Sequence, residues 1–242
     1  MDETLEAFGE RHGVHIAMSE KRDRPMGGFD KLKPFHRKNW DRFLLKQGLY
    51  PEDVVLPMER HTNQIYPVGR NDGGNIIKGD DGNGVDGLFT DEKGLALATK
   101  ARDCIIMLGV DSKNGVVFNV HAGWKGITGG IPKGLIMNLE KHGSDPKYIH
   151  IWLGPTLDWQ CYEFGFEAPK IFKAHLDCIR RNGSHLSYLV NLRGMVIKQL
   201  VNRGVLGENI TLSPRCTKCD PGLFSCRGGD VESTTMAFLI WK

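Results

Sequence analysis

Three apolar runs, GLALATKA, CIIMLGV and GVVFNV, follow one another between Gly94 and Val120 with only turn residues between them. Their length suits strands, and their nearly unbroken apolar character suits strands that are buried. A chain with such a segment must build a sheet around it, and the flanking patterns supply the cover. KPFHRKNWDRFLLKQGL carries Trp40, Phe43, Leu44 and Leu45 at helical spacing and stops at Gly48, as an amphipathic helix with a glycine past its end does. Pro132 suits the first turn of a helix that runs through Leu139 and ends near Gly143. FEAPKIFKAHLDCIRR and NLRGMVIKQLVNRG read as two further helices, the second with Asn191 as N-cap and Gly204 beyond its end. PEDVVLPMER, NQIYPV, YIHIWLG, ENITLS and TTMAFLIWK read as extended segments, and GRNDGGNIIKGDDGNGVDG as loop. Helices and strands are interspersed without strict alternation. The expected class is α/β in the broad α+β sense: a single domain over residues 1–242 with a mixed β-sheet covered by helices.

A chain of 242 residues can bury a core without disulfides or structural metals. Its 32 basic and 29 acidic residues leave a net charge of +3, and the basic ones are scattered, so no nucleic-acid partner is expected. No run approaches the roughly 20 apolar residues that span a bilayer, and the acidic start MDETLEAFGE lacks the features of a secretory signal. The expectation is a cytoplasmic protein with no membrane partner, its six cysteines reduced. No feature of the pattern sets an oligomeric state.

Several motifs fail on inspection of their spacing. GDDGNGVDG resembles a calcium loop, but Val85 occupies a ligand position and Asp86 the place where a sharp turn needs glycine. The same glycines match neither a dinucleotide fingerprint nor a Walker loop. Cys216 and Cys219 in CTKC, with Cys226 beyond, lack the second pair that a four-ligand structural zinc site needs, and read as incidental thiols. His12 and His15 would share a face only on a helix, which Gly13 and Val14 disfavour.

Cys104 and His121 differ because of where they sit. Cys104 starts the run CIIMLGV and His121 follows GVVFNV, and a turn at DSKNG makes these neighbouring antiparallel strands. Counted from Lys113, Cys104 lies nine residues back and His121 eight forward, so the two come out nearly opposite at one sheet edge. The glycines of AGWKGITGG then allow close approach of a ligand or a tight turn. Strand-end packing remains the alternative for the pair taken alone.

HAGWKG, the upstream DC, ERHTNQIYPV, LGPTLDWQCYEFG, CT and LFSCR together resemble the YfiH family, also called the multicopper polyphenol oxidase or laccase-domain family. The match runs in the family's order from about residue 55 onward and is weak before that. The resemblance implies a fold like that of the cytotoxic necrotizing factor catalytic domain, and a zinc held by His61, Cys104 and His121. It implies phosphorolysis of adenosine, inosine and methylthioadenosine together with adenosine deamination, with nucleoside and phosphate as small-molecule partners. Copper is the alternative metal, through the phenol oxidation after which the family was first named. In the implied site Cys104, His121 and His61 are catalytic, while Arg227, Ser225 and Trp124 contact substrate.

Two imidazoles and one thiolate with an open fourth position are the ligand set of catalytic zinc. Asp103 reads as an orienting or turn residue, and Arg227 as an anion contact or a plain surface arginine. The chain departs from the family pattern at Glu59, Thr62, Arg102, Ile106, Thr156, Leu157 and Cys226, and lacks the Gly-Arg pair after the last motif. Zinc-dependent nucleoside chemistry is the leading reading. The alternatives are a Cys-His hydrolase or amidase such as a peptidoglycan-precursor editing enzyme, a copper-dependent polyphenol oxidase, and a binding protein without catalysis.

Overall fold

Successive residues of a strand point to opposite faces, and in the middle of this chain both faces are apolar. The computed structural model describes residues 2–27, 34–80, 82–183, 186–231 and 234–242. In it, two stacked sheets share one core and each outer face is covered by helices. In chain order the strands are β1 (His15–Met18), β2 (Val54–Pro57), β3 (Ile65–Pro67), β4 (Ile76–Ile77), β5 (Gly87–Thr90), β6 (Ala96–Ala101) and β7 (Ile105–Asp111). They continue as β8 (Val117–Ala122), β9 (Ile149–Leu153), β10 (Glu163–Phe164), β11 (Ile179–Arg181), β12 (Tyr188–Val190), β13 (Ile210–Leu212) and β14 (Met236–Trp241). The α-helices are α1 (Glu3–His12), α2 (Pro34–Lys46), α3 (Trp124–Thr128), α4 (Ile131–Lys141), α5 (Ala168–Ile171) and α6 (Leu192–Val201).

One sheet has the order β13-β9-β7-β8-β5-β3, the other β1-β14-β6-β2-β4, and a small third sheet is β10-β12-β11. Both large sheets are mixed: β3 runs parallel to β5 and β2 to β6, whereas β7 and β8 are antiparallel. On β7, Ile105 and Met107 join Leu135, Leu139, Met195 and Leu200 of α4 and α6 in one cluster. Their neighbours Ile106, Leu108 and Val110 join Leu97, Phe238 and Ile240 of the facing sheet in another. Behind that sheet Trp40, Phe43 and Leu44 of α2 pack on Val54, Leu56, Ala96 and Ala98. The mixed α/β architecture agrees with the sequence pattern, with one difference: the runs build two stacked sheets, where one had been expected.

Local expectations hold in most places. Asn191 caps α6 by accepting from the Gly194 N–H, and Gly204 adopts a left-handed φ of 91° just past its end. Three points differ. Leu45 is 65% exposed and turns away from the α2 core. Within the expected loop, Ile76 and Ile77 pair in parallel with Leu56 and Pro57. FEAPKIFKAHLDCIRR is no long helix: α5 stops at Ile171, and Ile179–Arg181 instead pairs with β12. There the β-branched Ile179 packs against the main core, and strand pairing outweighs a helical spacing that had little burial to offer. Lys33 and Asp81, each inside a segment read from the sequence, lie outside the described residues.

Two polar side chains, Asn119 and Thr99, are sealed together between the stacked sheets. Asn119 of β8 accepts from Thr99 Oγ1 at 2.5 Å and donates through Nδ2 to the Leu97 and Phe238 carbonyls of the facing sheet, each at 2.9 Å. These bonds fix how the sheets sit on each other. An Asn119→Leu variant is expected to lose about 1–3 kcal/mol, seen as a lower urea midpoint at unchanged slope. An unchanged midpoint would show that the network contributes nothing net.

Candidate metal centre

Cys104 stands just before β7 and His121 is the next-to-last residue of β8. The hairpin register pairs Ile106 with His121 and Ile105 with Ala122. Cys104 is therefore displaced by two places from the position facing His121, and comes level with Gly123. That displacement gives the glycine of HAGW its purpose. A Cβ on Gly123 would lie 2.5 Å from His61 Cδ2 and 3.2 Å from Cys104 Sγ, so a side chain there would drive the two apart.

His61 arrives from the loop between β2 and β3. Its φ of 60° is a left-handed value that a residue with a Cβ adopts only when its surroundings impose it. Those surroundings are the carboxylate of Asp86, fully buried just ahead of β5. Asp86 Oδ1 accepts the His61 N–H at 2.9 Å, and Oδ2 accepts the Arg60 and Thr62 N–H groups at 3.2 and 2.6 Å and the Thr62 hydroxyl at 2.7 Å. The same Oδ1 lies 2.8 Å from His121 Nδ1. An ionised carboxylate only accepts, so Nδ1 carries a proton and Nε2 is the ring nitrogen left for a ligand, which it binds by giving up its own proton. The structure thus gathers His61, Cys104 and His121, with ligand atoms mutually within 4.8 Å. His61 Nε2 is 3.8 Å from Cys104 Sγ, and the two imidazoles meet edge to face at 4.9 Å.

Charge follows geometry. Burial works against an ionised Asp86, but the hydrogen bond and charge of His121, with the Thr62 bonds, hold its carboxyl below the usual range. Burial likewise opposes a Cys104 thiolate, yet the His121 charge and the hydrogen bonds from His121 and His61 bring that thiol down to about 6. Burial would lower His121, and the Cys104 charge and Asp86 bond overcome it and raise the imidazole well above its ordinary value.

These three residues line a cavity of about 370 Å³ together with Trp124, Tyr162 and Arg227. Trp124 packs edge-on to Phe164 at 5.6 Å, and the Arg227 guanidinium lies 5.3 Å from the centre of the Tyr162 ring. Burial, with the Cys104 charge next, pushes the Tyr162 phenol up, so it keeps its proton. Ser225 does not share in the lining: it is 2% exposed and donates its hydroxyl to Asp103 Oδ1 at 2.7 Å. Asp103 also accepts from Thr217 Oγ1 at 2.6 Å and from the Arg227 N–H at 2.9 Å, while its carbonyl takes the Thr156 hydroxyl at 2.6 Å. It holds three loops around the cavity.

The departures from the family pattern now have places. Thr62 adds a hydroxyl to the Asp86 cluster, and Ile106 is sealed in the core between the sheets. Glu59 accepts the Lys100 N–H at 2.6 Å on the cavity wall, and Arg102 reaches the carbonyls of Asp230 and Val231. In the stretch that replaces the Gly-Arg pair, residues 232 and 233 lie outside the described residues. Sequence reasoning missed Asp86, which had been weighed only as part of a calcium loop, and missed Tyr162; Glu59 it marked only as a departure from the family pattern. It also missed that Cys161 joins Cys216 and Cys219 in a second cluster.

A thiol held near 6 reacts at a pH where ordinary thiols, at about 8.5, do not. In metal-free protein the rate of iodoacetamide labelling at Cys104, read by peptide mass spectrometry, is expected to reach half its maximum near pH 6. His121→Gln moves that midpoint upward; an identical profile in the variant would contradict the pairing.

The chain resembles known proteins along most of its length. A family model described as multi-copper polyphenol oxidoreductase laccase matches residues 35–242. Adenosine deaminase RL5 of an unknown prokaryotic organism is 30% identical over 196 residues, covering 78% of this chain and 75% of the relative. A purine nucleoside phosphorylase of Corynebacterium glutamicum is 31% identical over 199 residues, covering 80% and 76%. Among solved structures, YfiH of Bacillus licheniformis superposes with a TM-score of 0.84 at 22% identity, covering 96% of this chain and 94% of that one. YlmD of Geobacillus stearothermophilus gives 0.82 at 24% identity, covering 95% and 92%. The chain belongs to the multi-copper polyphenol oxidoreductase laccase family, the YfiH family of the sequence motifs.

Proposed function

We propose that the protein is a zinc-dependent purine nucleoside phosphorylase with adenosine deaminase activity, acting on adenosine, inosine and methylthioadenosine. The observation that carries the reading is the convergence of two imidazoles and a low-lying thiol on a cavity walled by an indole and a guanidinium. Relatives named as adenosine deaminase and purine nucleoside phosphorylase support it.

The residues fit a metal on three counts. His121 turns Nε2 inward, Cys104 is a thiolate at neutral pH, and Gly123 leaves the space that a Cβ would fill. Two nitrogens and one sulfur suit zinc, with copper as the alternative. A multicopper oxidase needs several coppers with His-rich ligation, and the other metal-sized cluster among the described residues is made of cysteines alone. When bound, zinc supplies Lewis acidity toward water, phosphate or base.

The chain's own residues do the rest. Asp86 orients His61 and His121. The cavity volume of about 370 Å³ falls in the range of small-molecule sites. Trp124 offers an aromatic wall to a purine, Arg227 a planar fork to phosphate, and Tyr162 a phenolic donor. Ser225 supports Asp103 and, through it, the loop that carries Arg227. Residues 1–242 work as one unit, supported by the pairing of β1 with β14. Six free thiols support a reduced, cytoplasmic setting. No helix among the described residues is long and apolar enough to cross a membrane.

A second reading has its own observation. Cys104, His121 and Asp86 form a line of nucleophile, base and orienting carboxylate, which suits a metal-free hydrolase or amidase. Zinc bound stoichiometrically and lost in Cys104→Ala would reject it.

Product chromatography tests the leading reading. The wild type is expected to convert adenosine to adenine with phosphate present and to inosine without it, and His121→Ala to lose at least about 100-fold. No product, or equal turnover by the variant, would overturn it. Asp86→Asn is expected to weaken zinc about 10–100-fold in chelator competition while the protein stays folded. Unchanged affinity would remove Asp86 from its positioning role.

A further inference from the structure

We propose that Cys161, Cys216 and Cys219 form a second site, in which three thiolates bind one thiophilic cation of the zinc class, outside the cavity wall. The proposal does not depend on the nucleoside reading. Cys216 and Cys219 sit in a C-x-x-C turn closed by the Cys219 and Asp220 N–H groups, which donate to the Cys216 carbonyl at 3.2 and 2.9 Å. Cys161 comes from a different segment, the loop after β9. That loop is pinned to the turn by the Thr156–Cys216 bridge and by the Thr217 N–H donating to the Thr156 carbonyl at 3.1 Å.

The three sulfurs lie mutually within 4.8 Å, with Cys161 Sγ and Cys219 Sγ 3.4 Å apart. Thiolates on a tetrahedral zinc, with bonds of about 2.3 Å, stand about 3.8 Å from one another, so the cluster needs little movement to close on an ion. The Asp158 N–H donates to Cys216 Sγ at 3.4 Å, a contact that favours the thiolate a metal requires. Three converging sulfurs exceed what one disulfide uses, and all three cysteines are free. Cys219 is exposed and Cys161 partly so, which leaves the cluster open to an ion from solvent. The cluster is built into the cavity frame: Cys161 precedes Tyr162 of the wall, and Thr217, next to Cys216, donates to Asp103 beside Cys104. A cation here clamps the turn to the loop and fixes that wall.

The test uses the full chain, reduced, stripped and reloaded with zinc alone, with bound metal counted after gel filtration. The wild type is expected to hold two equivalents, and the Cys161→Ser/Cys219→Ser double variant to hold one. His61→Ala, which disarms the first centre, is expected to retain one, with an all-sulfur protein shell by X-ray absorption. If the double variant does not fold, the His61→Ala spectrum decides alone. An unchanged count in a folded double variant, no bound metal or a nitrogen-containing shell in His61→Ala, or a Cys161–Cys219 disulfide in reducing buffer would each overturn the proposal.

Discussion

A carboxylate with no exposed surface keeps its charge only where donors surround it, and Asp86 is surrounded by the backbone of residues 60–62, the Thr62 hydroxyl and His121. Each of those donors is a piece of the site. The bonds to the 60–62 backbone hold His61 in its left-handed conformation, and the bond to His121 selects its tautomer. The same buried charge ties both histidines down beside Cys104. The Asp86 carbonyl adds a further tie, accepting the His121 N–H at 2.7 Å.

The rest of the fold makes that carboxylate possible. β5, β7 and β8 lie side by side, so the start of β5, the start of β7 and the end of β8 bring Asp86, Cys104 and His121 to one edge. Both faces of those strands are sealed, one by α4 and α6 and the other by the second sheet, which keeps water away from Asp86. Asp103 does for the outer loops what Asp86 does for the inner one, collecting Thr217, Ser225 and the Arg227 backbone. Two adjacent frames result, one for the reactive corner and one for the wall that meets a substrate.

Much of this was legible in the residues. The strand-length runs around Cys104 and His121 reveal the hairpin, because a buried strand announces itself by its apolar faces. His61 is not reached that way: it lies in a loop, and only the family motif links it to the pair. The partner sheet is hidden because an unbroken apolar run is the same whether helices or another sheet cover its second face. Asp86 is hidden because an aspartate in a Gly-rich stretch reads as turn chemistry, and nothing local shows that it is buried. Cys161 lies 55 residues before Cys216, and no spacing rule joins them. The stretch after Phe166 misleads for a different reason: helical spacing is a weak preference, and pairing with β12 outweighs it.

The central claim is that Asp86 aims His61 and His121 so that, with Cys104, they form one three-ligand corner. The most direct measurement is anomalous diffraction at the zinc edge from crystals of the zinc-loaded protein. The account predicts a peak bounded by His61 Nε2, Cys104 Sγ and His121 Nε2, with His121 Nδ1 still on Asp86. Zinc-loaded crystals with no peak at that corner, or with His121 turned to ligate through Nδ1, would contradict it.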